Sequence, residues 1–138
     1  MILSKKQMSE EDIKLNYITP AIQCKWKEHI TMETKVDFTD GKINLQGNLV
    51  HRGPKQRADY ILYINANNPI AVIEAKDNKH SISFGMQQAI EYATKLDIPF
   101  AYSSNGDGFQ EHDMITGKER QIIIAKIIEQ QLFSCIHF

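Results

Sequence analysis

The chain of 138 residues is poor in crosslinking residues, since it contains only two Cys, at positions 24 and 135. Two Cys provide neither a disulfide framework nor a Cys-based zinc site, so we expect reduced thiols and a cytoplasmic protein. Long hydrophobic runs are also absent. The longest candidate, residues 60–73, contains three Asn and one Pro, whereas a membrane span needs about 20 apolar residues. The first residues also lack the apolar region of a signal peptide.

An excess of charge of either sign is absent too, because the formal net charge is −1 and the pI is about 6.5. This balance argues against a strongly basic nucleic-acid-binding protein, so any phosphate contact must come from a local cluster. Hydrophobic residues make up 42% of the chain and charged residues 24%. These values exclude a disordered chain, and the length predicts one folded domain.

Hydrophobic periodicity predicts alternating helices and strands. Ser9 is the expected N-cap of a first helix, which Pro20 should kink or restart with Thr19 as a second N-cap. Strands are predicted over residues 30–38, 42–46, 58–64, 70–76, 98–103 and 109–114, the last at a sheet edge. Further helices are predicted over residues 81–96 and 119–138. This order predicts an α/β or α+β fold with a mixed sheet.

Two of the predicted strands place ionisable side chains together. Residues 65–69, rich in turn formers, predict an antiparallel hairpin between residues 58–64 and 70–76. In that hairpin Asp59 lies opposite Glu74, Ala75 or Lys76, with Cβ atoms about 5 Å apart. Glu74 and Lys76 are two residues apart and therefore project to the same face. Three ionisable side chains thus converge at one end of an otherwise apolar hairpin.

Two carboxylates this close repel each other, and a divalent cation between them would relieve the repulsion. Hard oxygen ligands suit Mg²⁺, which also binds phosphate oxygens. Lys76 beside the metal is suited to orient or deprotonate a water, or to offset charge on the phosphorus, so metal-assisted phosphodiester hydrolysis fits. An ordinary surface ion pair among Asp59, Glu74 and Lys76 is the alternative interpretation of the same spacing.

Two further groups flank this constellation. Gln88 and Tyr92 are four residues apart on one stripe of the predicted helix, which should flank the apolar core rather than join it. Arg52, Lys55 and Arg57 lie in a basic segment that leads into the hairpin, and they form a candidate phosphate-contact patch. An ordinary boundary stripe and a solvated loop are the respective alternatives.

Asp59 followed by Glu74-Ala75-Lys76 resembles the PD-(D/E)xK nuclease signature, and the chain resembles the N-terminal nuclease domain of the type I restriction enzyme R subunit, HsdR. The resemblance extends from about residue 9 to residue 117. The matching segments are residues 9–10, 18–20, 26, 57–62, 71–76, 85, 88–93, 99–106 and 116–117, and they include the family's Gln-x-x-x-Tyr motif at Gln88 and Tyr92. The ordered set is more specific than the bare acidic pattern.

The resemblance implies a restriction-endonuclease-like core, with a central mixed β-sheet flanked by helices. It also implies roles for site residues. Asp59 and Glu74 would bind Mg²⁺, or alternatively Mn²⁺, with help from the Ala75 carbonyl, and Lys76 would be the catalytic lysine. Gln88 and Tyr92 would support the site or contact DNA. A first-helix acid would complete the metal shell, with Glu10 the better match and Glu11 its rival.

The resemblance further implies double-stranded DNA as substrate, with methyltransferase and specificity subunits as partners. The family's ATP-driven translocase has no counterpart here, since the chain lacks a Gly-x-x-x-x-Gly-Lys-[Ser/Thr] loop, so ATP would serve only the full-length enzyme. We therefore expect a nuclease domain over residues 1–120, without intrinsic sequence specificity, in an excised or truncated chain.

Residues 121–138 do not resemble the family. We expect a helical tail there, native or frameshifted, with a possible homodimer contact. A non-catalytic DNA-binding or subunit-docking module is the alternative function for the chain, and an inactive truncated remnant is a third.

Overall fold

The computed structural model describes residues 3–36 and 57–127. The helical elements are a 3₁₀ turn at Lys5–Gln7, α1 at Glu10–Ile13, a π-helical turn at Lys14–Ile18, α2 at Thr19–Lys25 and α3 at Met86–Leu96. The strands are β1 at Ile30–Lys35, β2 at Arg57–Asn65, β3 at Asn68–Ala75, β4 at Phe100–Ser104, β5 at Gly108–Asp113 and β6 at Glu119–Ile123. The predicted strand over 42–46 lies outside the described residues.

The first helical run begins as predicted and continues through Pro20. Ser9 is the N-cap of α1, and its hydroxyl accepts a hydrogen bond of 3.1 Å from the backbone N–H of Asp12. Pro20 falls in the first turn of α2, where its missing N–H is tolerated. Thr19 is helical, so the prediction that it is a second N-cap is wrong. Its hydroxyl instead lies 2.8 Å from the Tyr60 hydroxyl.

The strands form one six-stranded sheet in the order β1-β2-β3-β4-β5-β6. Only β3 and β4 are parallel, because α3 crosses over between them, and the other neighbouring strands are antiparallel. The predicted mixed α+β architecture is therefore confirmed. β5 lies between β4 and β6, so its predicted place at the sheet edge is wrong.

The hairpin of β2 and β3 has the predicted register to within one residue. Tyr60 pairs with Ile73 and Leu62 with Ala71. The connection is shorter than predicted, because both strands extend to a two-residue turn at residues 66–67. Continuing the register by one pair places Asp59 opposite Glu74, at the end of the hairpin remote from the turn.

Both faces of the sheet are covered, which gives three layers. One buried cluster joins α1, the π-helical turn and α2 to the sheet through Ile13, Ile18, Ile22, Tyr60, Ile73 and Phe109. The other joins α3 to the opposite face through Met86, Ala89, Tyr92, Ala93, Val72 and Ala101. α3 begins at Met86 rather than at the predicted residue 81, because residues 82–85 form turns.

The C-terminal part of the described chain differs from the prediction. Residues 119–123, predicted as the start of a helix, form β6, with Ile122 opposite Phe109. Helical structure begins only at residue 124, and residues 128–138 lie outside the described residues, as does the predicted dimer contact there. The expected domain boundary at residue 120 falls within β6. None of the helices in residues 3–36 and 57–127 has the length and apolar content required to cross a bilayer.

Candidate active site

Asp59 on β2 and Glu74 on β3 are linked by hydrogen bonds between each carboxylate and a backbone N–H of the other strand. Glu74 Oε2 accepts a hydrogen bond of 3.1 Å from the Asp59 N–H, and Asp59 Oδ2 accepts one of 2.8 Å from the Ala75 N–H. The exposed fractions are only 1% for Asp59 and 0% for Glu74. Two acids with almost no solvent contact do not form the surface ion pair that was the alternative interpretation.

A lysine that the sequence analysis did not single out contacts this pair. Lys14, in the π-helical turn, is 3% exposed, and its Nζ lies 3.4 Å from Asp59 Oδ1. The same Nζ lies 2.5 Å from Glu33 Oε2 and 3.1 Å from Glu11 Oε2. Burial alone lowers the pKa of a lysine, but hydrogen bonds to Glu33 and Glu11 and the charge of Asp59 outweigh it, so the pKa of Lys14 is raised. Lys14 is therefore a buried ammonium ion.

Lys76 follows β3 directly and projects to the same side as Glu74. Its backbone N–H donates to the Ser104 carbonyl at 2.8 Å, which fixes the residue beside the end of β4. Gly85, just before α3, approaches both side chains. A Cβ at this position would lie 3.4 Å from Glu74 Cβ, 3.4 Å from Lys76 Cε and 3.1 Å from Ser103 Oγ. Because Gly85 has no side chain, there is space beside it for the side chains of Glu74 and Lys76.

A cleft of about 590 Å³ opens beside these residues. Its described lining combines three acids of α1 and β1, three basic side chains and the buried aspartate: Glu10, Glu11, Glu33, Lys35, Arg57, Lys76 and Asp59. Both candidate first-helix acids line it, so the choice between Glu10 and Glu11 stays open. Arg57 is the one residue of the candidate phosphate patch that the structure describes, since Arg52 and Lys55 lie outside the described residues.

Gln88 and Tyr92 contact each other on α3. Gln88 Nε2 donates a hydrogen bond of 3.0 Å to the Tyr92 hydroxyl. Tyr92 is fully buried in the cluster beneath α3, so the prediction that this stripe flanks the core is wrong for Tyr92. The tyrosine ring packs in the core while its hydroxyl reaches the half-buried Gln88.

The carboxylates of Asp59 and Glu74 provide hard oxygen donors for Mg²⁺, the metal implied by the spacing and the family. Among residues 3–36 and 57–127, no three His, Cys, Asp or Glu side chains are grouped so that they could hold a metal ion. Mg²⁺ commonly keeps several waters and binds through only one or two protein carboxylates. The adjacent, buried Asp59 and Glu74 meet this smaller requirement, and therefore the residues present fit the ion.

The comparisons with known proteins decide the family. A family model described as "Type I restriction enzyme R protein N terminus (HSDR_N)" matches residues 45–120, more than half of the chain. The chain belongs to this family. The matched residues include β2 and β3, with Asp59 and Glu74, and also α3, β4, β5 and the start of β6.

Relatives of this HsdR N-terminal domain are similar over most of the chain. The type I restriction enzyme EcoAI endonuclease subunit of Escherichia coli is 39% identical over 127 residues, which are 88% of this chain and 16% of that protein. A solved structure, named as a fragment of an HsdR subunit of a type I restriction enzyme from Vibrio vulnificus YJ016, has a TM-score of 0.67 and 35% identity. It covers 90% of this chain and 26% of the other. The chain thus spans about a sixth and a quarter of the proteins it matches.

Lys14 and Glu33 are the residues of this HsdR domain that sequence reasoning missed. A local signal existed for Lys14, which is three residues after Glu11 and therefore on the same side of the helix. No local signal existed for its other two partners. Glu33 is 19 residues from Lys14 and Asp59 is 45, so only the packing of the π-helical turn against β1 and β2 brings them together.

Proposed function

We propose that the chain is the Mg²⁺-dependent DNA endonuclease domain of a type I restriction enzyme R subunit, which hydrolyses phosphodiester bonds without intrinsic sequence specificity. The observation that carries the proposal is the buried Asp59–Glu74 pair, placed beside Lys76 and a charged cleft. Membership of the HsdR family supports it. Buried acids with a nearby lysine in a cleft are typical of catalytic sites.

Each residue has a role in this proposal. Asp59 and Glu74 would hold the metal ion, with the Ala75 carbonyl and Glu10 or Glu11 as further ligands that the family implies. The bound ion supplies a Lewis acid for a phosphate oxygen and lowers the pKa of a bound water. Lys76 places a positive charge where negative charge builds up on the phosphate during hydrolysis.

Residues around the metal pair complete the proposed site. Arg57, at the mouth of the cleft, would contact the DNA backbone, and Arg52 and Lys55 would extend that contact. Gln88, held against Tyr92, would support the site or contact DNA. These contacts are to phosphate rather than to bases, which accords with a nuclease that does not read sequence.

Double-stranded DNA is the proposed substrate, and methyltransferase and specificity subunits are the proposed partners. In this arrangement the specificity subunit selects the DNA sequence, and ATP is used by other parts of the full-length enzyme. The near-neutral net charge of −1 accords with a nuclease domain that depends on its partners for most of its DNA affinity.

A second candidate is a non-catalytic docking module that retains the fold. The contact between Lys14 and Asp59 favours it, because this contact satisfies the aspartate without a metal ion. The absence of a three-residue ligand group within residues 3–36 and 57–127 points the same way. A pure binding module, however, has no use for Lys76 in the cleft beside these acids.

Two measurements on the whole chain test the nuclease proposal. The first is the nicking of supercoiled plasmid in Mg²⁺ or Mn²⁺ by the wild type, Lys76→Ala and Lys118→Ala. Loss of Lys76 should lower the rate at least about 100-fold, because a charge acting at the reacting phosphate is removed. Lys118 is an exposed lysine in the β5–β6 turn, and its loss should leave the rate unchanged.

The second measurement is calorimetric titration of Mn²⁺ into the wild type, Asp59→Ala and Glu74→Ala, with and without a DNA duplex. Binding that either substitution abolishes supports the metal site. A folded wild type that binds no metal under either condition and nicks no plasmid contradicts the nuclease proposal and leaves the docking module.

A further inference from the structure

The ammonium group of Lys14 contacts three carboxylates in the described site. An ammonium group has three N–H donors, and its Nζ lies near one carboxylate oxygen of each of three acids: Glu33 at 2.5 Å, Glu11 at 3.1 Å and Asp59 at 3.4 Å. The local fold is arranged around these contacts. Glu33 holds a left-handed φ of 52°, which L residues other than Asn and Asp rarely adopt.

The position of this ammonium ion is the important observation. Lys14 contacts the same Asp59 that would bind the metal ion, and it meets the same electrostatic need, which is to separate acids that otherwise repel. Burying ions is costly, and replacement of a whole buried ion cluster by well-packed apolar residues often leaves a protein as stable. A role beyond stability therefore accounts for Lys14 better than packing alone.

The three distances from Lys14 Nζ to carboxylate oxygens are unequal, which indicates how Lys14 and a divalent cation would share Asp59. The Asp59 contact at 3.4 Å is the longest, so it is the weakest of the three. Asp59 is also held by the Ala75 N–H through its other oxygen, Oδ2. Lys14 can therefore leave Asp59 while Glu33 and Glu11 still hold its charge, and Asp59 stays in place.

We propose that Lys14 is a built-in counterion that occupies the metal side of Asp59 when the site is empty and is displaced from it when a divalent cation binds. The inference rests on the proposed metal site and adds a residue that regulates it. Lys14 then weakens metal binding, because every bound ion must break its contact with Asp59. It also keeps the acids from repelling one another in the metal-free domain.

Calorimetric titration of Mn²⁺ into four chains tests this inference: the wild type, Lys14→Met, Lys35→Met and Lys14→Met/Asp59→Asn. Lys14→Met should bind Mn²⁺ on the order of tenfold more tightly than the wild type, which is a usual size for coupling between two binding events. Lys35 lines the same cleft but is exposed, so its loss should change the affinity less than threefold, since solvent screens its charge. Addition of Asp59→Asn should abolish the gain.

The outcomes separate the inference from the proposed function. If the wild type binds Mn²⁺ through Asp59, but folded Lys14→Met binds it equally or more weakly, the metal site stands and the counterion role of Lys14 is wrong. If neither chain binds Mn²⁺, the metal site itself is wrong. If Lys14 had only a structural role, its loss would weaken Mn²⁺ binding. The direction of the change in Mn²⁺ affinity therefore distinguishes the two roles.

A measurement on the wild type covers the case in which Lys14→Met does not fold. Acetic anhydride labels lysine amines, and peptide mass spectrometry reports the extent at each position. Lys14 should be protected in the metal-free chain and become several-fold more reactive when Mn²⁺ is saturating, whereas Lys118 should not change. Unchanged protection of Lys14 in a chain that demonstrably binds Mn²⁺ would overturn the inference.

Discussion

Two charged clusters of this domain use the same side-chain chemistry in opposite surroundings. The buried cluster is centred on the buried Lys14 and Asp59, between α1 and the sheet, and is joined by the exposed acids Glu11 and Glu33. The surface cluster, on the strands β4, β5 and β6, consists of Tyr102, Glu111 and Arg120. There Arg120 Nε lies 2.7 Å from Glu111 Oε1, and the Tyr102 hydroxyl donates to Glu111 Oε2 at 2.6 Å.

The two clusters are interpreted differently because their cations, Arg120 and Lys14, differ in exposed fraction. Arg120 is 67% exposed, whereas Lys14 is 3% exposed. An exposed ion pair contributes about 0–1 kcal/mol, so the surface cluster is adequately explained as a modest stabilising contact. A buried ion costs several kcal/mol in lost hydration, and replacement of a whole buried ion cluster by apolar residues often leaves the stability unchanged. The comparison teaches that the buried cluster needs a functional explanation and the surface cluster does not.

The largest expected effect is on the stability of the metal-free domain. Lys14→Met removes the cation and leaves Asp59 buried without it, which should lower the free energy of unfolding by about 3–5 kcal/mol. Urea denaturation at pH 7 measures the change. Lys35→Met is the matched control, since it removes the same charge from an exposed position, and its change should stay within about 0.5 kcal/mol.

A second substitution determines whether charge causes that loss. Adding Asp59→Asn to Lys14→Met removes the uncompensated carboxylate, and an asparagine oxygen can still accept from the Ala75 N–H. The double variant should therefore recover part of the lost stability. If Lys14→Met is as stable as the wild type, the buried and surface clusters do not differ in their contribution to stability.

The next effect concerns geometry within the site rather than charge. Gly85→Ala adds a Cβ 3.1 Å from Ser103 Oγ and 3.4 Å from both Glu74 Cβ and Lys76 Cε. Shifts of a few tenths of an ångström should lower a plasmid-nicking rate about tenfold, because catalysis depends on closely set distances. The backbone at Gly85 has φ −90° and suits alanine, so the free energy of unfolding should change by less than about 1 kcal/mol.

Gly117→Ala provides the opposite pattern. Its φ of 79° is strained for alanine, but no atom lies within 4 Å of the added Cβ. This substitution should cost about 1–2 kcal/mol of stability and leave the nicking rate unchanged. If both glycine variants affect rate and stability alike, the space at Gly85 is not specific to the site.

The hairpin of β2 and β3 could be predicted from sequence because its determinants are local. Continuous apolar runs set the two strands, and the turn formers between them set the register that brings Asp59 opposite Glu74. The one error, a connection of five residues instead of two, arose because Asn65 and Asn68 are turn formers that here pair at the strand ends. The placement of Asp59 opposite Glu74, at the centre of the candidate site, could therefore be predicted from residues close together in the chain.

Errors arose where distant packing overrides a local pattern. Residues 119–123 suit a helix or a strand, and their pairing with β5 makes them a strand. Tyr92 was expected beside the core, but its ring is large enough to pack beneath α3 while its hydroxyl reaches Gln88. The Lys14 contacts with Glu33 and Asp59 join three separate elements, so no spacing in the sequence predicts them.

The smallest expected effect is the pH dependence of the surface cluster. Burial opposes ionisation of Glu111, but hydrogen bonds from Arg120 and Tyr102 outweigh it, so the pKa of Glu111 lies below its ordinary value of 4.5. Because the folded-state pKa is the lower one, this carboxylate stabilises the fold above about pH 4.5, and the contribution is lost as the pH falls through the folded value. Glu111→Gln should thus cost about 0.5 kcal/mol at pH 7 and less near pH 3.

Urea denaturation at the two pH values measures the difference, with the exposed Glu28→Gln as the control of equal charge. A cost of several kcal/mol for Glu111→Gln would place the surface cluster in the same class as the buried cluster. Burial would then not mark the functional charges of this domain, since the contact of an exposed arginine would contribute as much to the free energy of unfolding as that of a buried lysine.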